Sequence, residues 1–263
     1  MMQYETIAFQ VKDQVAYITL NRPDAANGFN IAMGKDLMHA AIRCGEDPDI
    51  RAVLITGAGK MFSSGGDLKY FYEFGNDLGA ALKELTVYCH AAVSRFMRMP
   101  KPVVTAVNGA AAGIGMSFAL CGDLIIAAES AIFMSAYTAA GLSPDGGMTH
   151  FLPRMIGLAR TKEMLLTNRR LSAKEALEWG LVVKVVPDGE LGKEAEALAK
   201  KLATGPTRSF GSVKRLLGQS FTESLECQME HEALGIVDMT KTPDGKEGIT
   251  AFIEKRRPNF TGL

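Results

Sequence analysis

Three short segments hold residues whose types and spacing suit chemistry. The first, residues 61–69, reads Met-Phe-Ser-Ser-Gly-Gly-Asp-Leu-Lys. Two adjacent glycines let a backbone approach a ligand closely with its amides turned outward. The same run also reads as a tight turn in which Asp67 caps a helix. The second, residues 108–115, reads Asn-Gly-Ala-Ala-Ala-Gly-Ile-Gly. Its glycine spacing is that of the phosphate turn of short-chain dehydrogenases, which seats a pyrophosphate on a helix N-terminus. Against that role, the motif lies mid-chain rather than after a first strand. No tyrosine of the six is followed by lysine at the Tyr-x-x-x-Lys spacing. Small residues here also suit close packing of a helix on a strand. The third, residues 137–147, reads Tyr-Thr-Ala-Ala-Gly-Leu-Ser-Pro-Asp-Gly-Gly. Asp145 is its one acid among small and apolar neighbours. A carboxyl group in such surroundings has a raised pKa and moves protons near neutral pH. The competing assignment is a Ser-Pro-Asp-Gly turn leading into a helix that Asp145 caps.

Taken together, two glycine-rich turns supply two backbone amides and one carboxyl group stands beside them. That combination suits chemistry through an enolate, in which a thioester oxygen takes up negative charge. Loss of one such amide donor costs about 2.7–4 kcal/mol in an enzyme that stabilises an oxyanion. A serine hydrolase fits less well. Gly115-Met116-Ser117-Phe118-Ala119 ends in alanine where the nucleophile elbow has glycine. The four histidines, His39, His90, His150 and His231, read as surface or structural groups.

The elements that must position these segments alternate in type. Residues 7–10 and 15–20 read as two strands of a hairpin around 11–14. Residues 31–46 carry apolar residues at helical spacing. Residues 52–56 and 103–107 are continuous apolar strands, and a long helix over 78–97 lies between them, ended by the prolines at 100 and 102. Residues 108–115 read as a turn, followed by a short helix from 116 to 122 and a strand over 123–127. Strands apolar on both faces, alternating with helices, predict an α/β fold with buried parallel strands. Helical patterns then dominate, over 161–167, 173–179, 191–203, 207–218, 220–239 and 243–256, with one strand at 182–186. The chain therefore divides into a core, 1–190, and a helical C-terminal region, 191–263, of the kind that packs on its own core or on a neighbouring subunit.

Composition bounds the answer. The chain has 263 residues, 47% hydrophobic and 22% charged, which excludes a disordered or fibrous protein. Lys plus Arg and Asp plus Glu both number 29, so bulk charge gives no reason to expect nucleic acid or a membrane surface as partner. Cys44, Cys89, Cys121 and Cys227 are far apart and form no metal-knuckle pair. Reduced thiols and an N-terminus without signal-peptide character predict a cytoplasmic protein. The apolar stretches over 101–128 are interrupted by Asn108, glycines and Asp123, so no membrane span is expected.

These residues resemble the crotonase superfamily, the enoyl-CoA hydratase/isomerase group, over about residues 5 to 260. The likeness rests on Ile18-Thr19-Leu20-Asn21-Arg22-Pro23, Phe62-Ser63-Ser64-Gly65-Gly66-Asp67-Leu68, the run Lys-Pro-Val-Val-Thr-Ala-Val-Asn-Gly at 101–109, Gly-Leu-Ser-Pro-Asp-Gly-Gly at 141–147, Leu152-Pro153-Arg154, Gly180-Leu181-Val182, and Ala251-Phe252-Ile253-Glu254-Lys255-Arg256. The resemblance implies a spiral of β-β-α turns with a C-terminal helical trimerisation region, a homotrimer or hexamer, an acyl-coenzyme A thioester as substrate, and neither metal nor separate cofactor. It puts the oxyanion amides on Gly66 and Ile114, the latter in place of a residue that is often glycine. It assigns substrate contacts to Arg22, Ala26, Ser64, Asp67, Lys69, Tyr137, Phe252 and Lys255, the last two from the C-terminal helix and within reach of a neighbouring subunit.

The departures from the family pattern bear on the reaction. Hydratases of the group use two glutamates, and the matching positions here hold Ser117 and Tyr137. Neither is a general base at neutral pH, tyrosine ionising only near pH 10. Asp145 matches the catalytic aspartate of several isomerases of the group. The 4-chlorobenzoyl-CoA dehalogenases also place an aspartate there, paired with a tryptophan at the position of Tyr137, whereas the one tryptophan here is Trp179. The expected activity is an enoyl-CoA isomerase with Asp145 as proton carrier. A hydratase, a hydrolase, a dehalogenase and a non-catalytic acyl-CoA binder are the alternatives.

Overall fold

A computed structural model describes residues 3–263. The chain opens with β1 (Ile7–Lys12) and β2 (Val15–Leu20), an antiparallel hairpin whose register pairs Lys12 with Val15. The connection is a two-residue turn, shorter than the four residues expected. Asp13 and Gln14 both have positive φ, 51° and 62°, the backbone hand that matches strand twist. Next come α1 (Ile31–Glu46), β3 (Ala52–Gly57), the short α2 (Leu68–Tyr72) and the long α3 (Leu78–Arg98). Asn30 starts α1 by accepting the Met33 N–H, a normal side-chain cap.

The following two turns repeat a strand-strand-helix order. The first is β4 (Val103–Val107), β5 (Ala110–Ala112) and α4 (Gly113–Ala119). The second is β6 (Leu124–Ala128), β7 (Ile132–Met134) and α5 (Met148–Ile156), with α6 (Leu158–Thr167) after it. Then follow β8 (Leu171–Ser172), α7 (Ala173–Glu178), β9 (Lys184–Val186), α8 (Leu191–Ala203), α9 (Thr207–Gln219), α10 (Leu225–Thr240) and α11 (Pro243–Ile253). The strands sort into two sheets. The larger has the order β1-β2-β3-β4-β6-β9, parallel from β2 onward, and the smaller is β5-β7-β8. Each spiral turn thus gives one strand to each sheet before its helix.

Both faces of the large sheet are covered, which is why its strands are apolar throughout. One face joins the main core with α1 and α3, where Phe29, Phe62, Phe96 and Phe118 are wholly buried. On the other face, Leu191, Ala195, Ala199 and Ala203 of α8 pack against Val15, Leu54, Val104, Ala106 and Ile126. The first helix of the C-terminal region therefore belongs to the packing of the sheet. Helices α9–α11 instead leave large apolar residues exposed, among them Leu217, Leu225, Ile236, Phe252 and Ile253. Among the described residues no helix is long and apolar enough to cross a membrane.

The largest local departure from expectation is at 108–115. The glycines read as a turn, yet the segment holds β5 and the first turn of α4. Close packing overrides the weak helix preference of glycine there. A Cβ at Gly115 would lie 2.5 Å from both Cβ and Oγ of Ser63. Strands β7 and β8 were not expected at all. They are three and two residues long, too short to show alternation, and exist only through pairing in the small sheet.

Candidate active site

The segment after β3 is held at several points. Asn27, fully buried, donates from Nδ2 to the carbonyls of Ala58 (2.8 Å) and Met61 (2.9 Å), and its Oδ1 accepts the Arg22 N–H. Ser63 then runs parallel to β5, donating its N–H to Ala110 O and accepting that of Ala112. Its hydroxyl donates to Asn27 O (2.8 Å) and accepts the Gly65 N–H (3.1 Å). Gly65, at φ +101°, is in a region closed to most side chains, and a Cβ there would lie 3.0 Å from Ala112 O. The backbones of 65 and 113 are consequently in contact, and each is followed by one of the two expected amide donors. Among the described residues neither Gly66 N–H nor Ile114 N–H donates to a protein acceptor. Ile114 lies in the first turn of α4, where a helix leaves its N–H groups unpaired.

Asp145 is not a helix cap. Gly147 occupies the N-cap position of α5, and no side chain caps that helix. The Asp145 carboxyl instead accepts from the Tyr137 hydroxyl at 2.5 Å. Ser117, one turn along α4 from Ile114, donates to the Asp145 carbonyl at 2.8 Å and lies 3.3 Å from the Tyr137 hydroxyl. The Tyr137 ring approaches the head of α4, its Cζ 4.0 Å from where a Cβ of Gly113 would be. Gly146, at φ +61°, is pressed against the same helix: a Cβ there would sit 2.4 Å from Ile114 Cδ1 and 2.8 Å from Ser117 Cβ. The acid and the second oxyanion turn thus share one small volume, and the β-branched Ile114 fits because residue 146 is glycine.

Burial shifts both titrating groups of this cluster. Desolvation pushes the Asp145 carboxyl above the usual carboxylate range, opposed in part by the hydrogen bond from Tyr137. Tyr137 is pushed up first by its own burial, then by the adjacent Asp145 charge and by their hydrogen bond. It therefore stays protonated and serves as a donor.

The remaining expected contacts are differently placed. Arg22 and Asp67 face each other in an ion pair of 2.9 Å, and the guanidinium also donates to Gly28 O. Asp67 in addition caps α2 through the Tyr70 N–H. Their charges are matched within the protein, so the structure shows them fixing the 22–28 and 63–70 segments to one another. Ala26, at φ +50°, lines a cleft of about 290 Å³ with Pro23, Asp24, Ala58, Gly59, Lys60 and Met61. Ser64 donates its N–H to Ala26 O at the edge of that cleft, and Lys69 is exposed on α2. Phe252, 86% exposed, and Lys255 stand at the end of α11, outside the residues that line the cleft. Trp179 is flanked by the guanidiniums of Arg160 and Arg169 at 4.8 and 4.7 Å.

Three residues of the site escaped the sequence reading. Ser63 sits within a quoted motif and Asn27 outside all of them, and the side chains of both tie loops together, which no spacing reveals. His90, on α3, accepts the Gly146 N–H on Nε2 at 3.1 Å. Nothing in the local sequence separates it from an ordinary surface histidine.

Comparisons with known proteins bear on the family of the chain. The enoyl-CoA hydratase/isomerase family profile matches residues 10–263. A Rhodobacter capsulatus protein named "Probable enoyl-CoA hydratase" is 39% identical over 99% of this chain and 100% of its own length. The Escherichia coli 1,2-epoxyphenylacetyl-CoA isomerase is 40% identical, covering 98% of this chain and 99% of the isomerase. An enoyl-CoA hydratase from Polaromonas sp. JS666 superposes with a TM-score of 0.92 at 32% identity, over 97% and 99% of the two chains. With the two-sheet spiral, the paired glycine turns and full-length matches in hand, the chain belongs to the enoyl-CoA hydratase/isomerase family of the crotonase superfamily.

Proposed function

We propose that this protein is an enoyl-CoA isomerase that shifts a double bond of an acyl-CoA thioester through an enolate. The observation that carries the proposal is the identity of the groups around Asp145. The two positions that hold glutamates in the group's hydratases hold Ser117 and Tyr137, and both hydroxyls bond to Asp145 itself. Hydration needs one group to activate water and another to protonate carbon. A double-bond shift needs a single base that returns the same proton elsewhere. In the proposed reaction the Asp145 carboxylate takes a proton from the carbon next to the thioester or from the conjugated γ carbon. The C–H electron pair enters the conjugated system and charge gathers on the thioester oxygen, where the N–H groups of Gly66 and Ile114 receive it. The Asp145 carboxylic acid then gives its proton to the other carbon, on the same face of the anion. Tyr137 lines the acyl site and orients the carboxyl. The E. coli relative is an isomerase by name, and the equally similar Rhodobacter relative is named a probable hydratase, so the choice rests on the groups around Asp145.

Coenzyme A is part of the substrate and no metal or other cofactor is assigned. Exchange rates unchanged by dialysis against a chelator test that assignment. The exposed apolar residues of α9–α11 support assembly as a trimer or hexamer, which light scattering on the purified chain tests. Four unpaired thiols support a reducing, cytoplasmic setting. The deciding experiment incubates wild type and Asp145→Asn with matched 2-enoyl and 3-enoyl thioesters in D₂O. Interconversion with deuterium gain at the α carbon, reduced about 10²–10⁴-fold by the substitution, is the expected result. A 3-hydroxyacyl product formed at a comparable rate, or exchange indifferent to Asp145→Asn, overturns the proposal.

A further inference from the structure

The Asp145–Gly146 peptide is held at both of its polar ends by side chains from two separate helices. Its carbonyl accepts the Ser117 hydroxyl of α4 at 2.8 Å. Its N–H donates to His90 Nε2 of α3 at 3.1 Å. A third restraint is steric, since the left-handed Gly146 leaves no room for a Cβ against Ile114 and Ser117. A peptide plane held at its oxygen, its nitrogen and its flank fixes where the Asp145 Cα stands, and so the point from which its carboxyl reaches Tyr137.

We propose that His90 is a positioning residue: with Ser117 it clamps the 145–146 peptide, and so directs the Asp145 carboxyl toward Tyr137 and the Ile114 end of α4. This inference rests on the reading of Asp145 as proton carrier. The chemistry fixes the form of the imidazole. A backbone N–H only donates, so Nε2 must offer a lone pair, and a neutral ring then carries its proton on Nδ1. That nitrogen makes no hydrogen bond among the described residues. Histidine suits the task better than an apolar residue, which would leave the Gly146 N–H without an acceptor beside a buried acid. Glutamine also offers an acceptor at comparable reach, at the cost of a more flexible stem.

The test combines a spectrum with kinetics. Protein labelled with ¹⁵N in histidine is examined by long-range ¹H–¹⁵N correlation, the His90 signals being assigned by their loss in His90→Gln. The expected pattern is Nδ1 protonated and Nε2 bare; an Nε2–H tautomer overturns the clamp. In the α-proton exchange assay, His90→Phe lowers kcat at least tenfold with KM within twofold, and His90→Gln restores most of the loss. Wild-type kcat in His90→Phe, or a glutamine variant no better than phenylalanine, also overturns it. Should the wild type fail to exchange protons at all, the proton-carrier reading fails, and the tautomer alone then decides whether His90 holds the loop.

Discussion

Gly115→Ala tests whether contact between α4 and the 63–66 segment sets the oxyanion site. The added Cβ would lie 2.5 Å from Ser63 Cβ and Oγ and 3.0 Å from Ser63 O. Carbon atoms in contact rest about 3.5–4.0 Å apart, so the two backbones must separate by about 1 Å. Overpacking of this kind costs about 1–3 kcal/mol of stability. The catalytic effect should be larger. Ser63 holds the Gly65 N–H and Asn27 O, so its displacement carries Gly66 away from Ile114. A 1 Å misplacement of reacting groups costs about 10²-fold, close to the loss of one oxyanion donor. The assay is α-proton exchange of a saturated acyl-CoA in D₂O, with circular dichroism to show that the variant is folded. Exchange slowed about a hundredfold is expected. A folded Gly115→Ala variant exchanging within threefold of wild type refutes the geometry on which the proposed reaction depends.

Asp145→Asn should raise the melting temperature near pH 7 while slowing exchange about 10²–10⁴-fold. The folded carboxyl has a raised pKa, so the native state binds the proton more tightly than the unfolded chain and loses stability as pH rises through the folded value. Calorimetry should therefore find the gain from Asn largest at neutral pH and shrinking as pH falls through the carboxylate range; a gain that grows on acidification contradicts this. Tyr137→Phe removes the hydrogen bond that holds the Asp145 pKa down, so the acid limb of the pH–rate profile should move to higher pH. A limb that stays in place or moves down shows that Tyr137 does not stabilise the carboxylate. Lys214→Met removes the partner 2.7 Å from the half-buried Asp123 and a donor to the carbonyls of Phe96 and Lys101. An uncompensated charge of this kind costs about 3–5 kcal/mol, and a denaturant titration finding less than 1 kcal/mol would show that Asp123 reaches water instead.

The family and the chemistry-bearing segments were legible because each depends on local residue types. Adjacent glycines mark backbone that side chains must vacate, and a lone acid among apolar neighbours marks a shifted carboxyl. Assignments that depend on who faces whom were not legible. Arg22 and Asp67 each suit a ligand contact when read alone, and the fold gives them to one another across 45 residues of chain. Asp145 suits a cap, and the backbone turns its carboxyl to Tyr137 instead. His90 and Gly146 are 56 residues apart, and their hydrogen bond exists only because α3 passes the loop before α5.

The sequence by itself determined the alternation of elements, the apolar faces that drive the parallel sheet and the reduced set of acids available for proton transfer. These follow from periodicity and composition, which act over one or two turns of chain. The tertiary structure decided which amides stay unpaired, which charges are matched internally and how the acid is held, because hydrogen-bond partnership and burial are properties of neighbours in space.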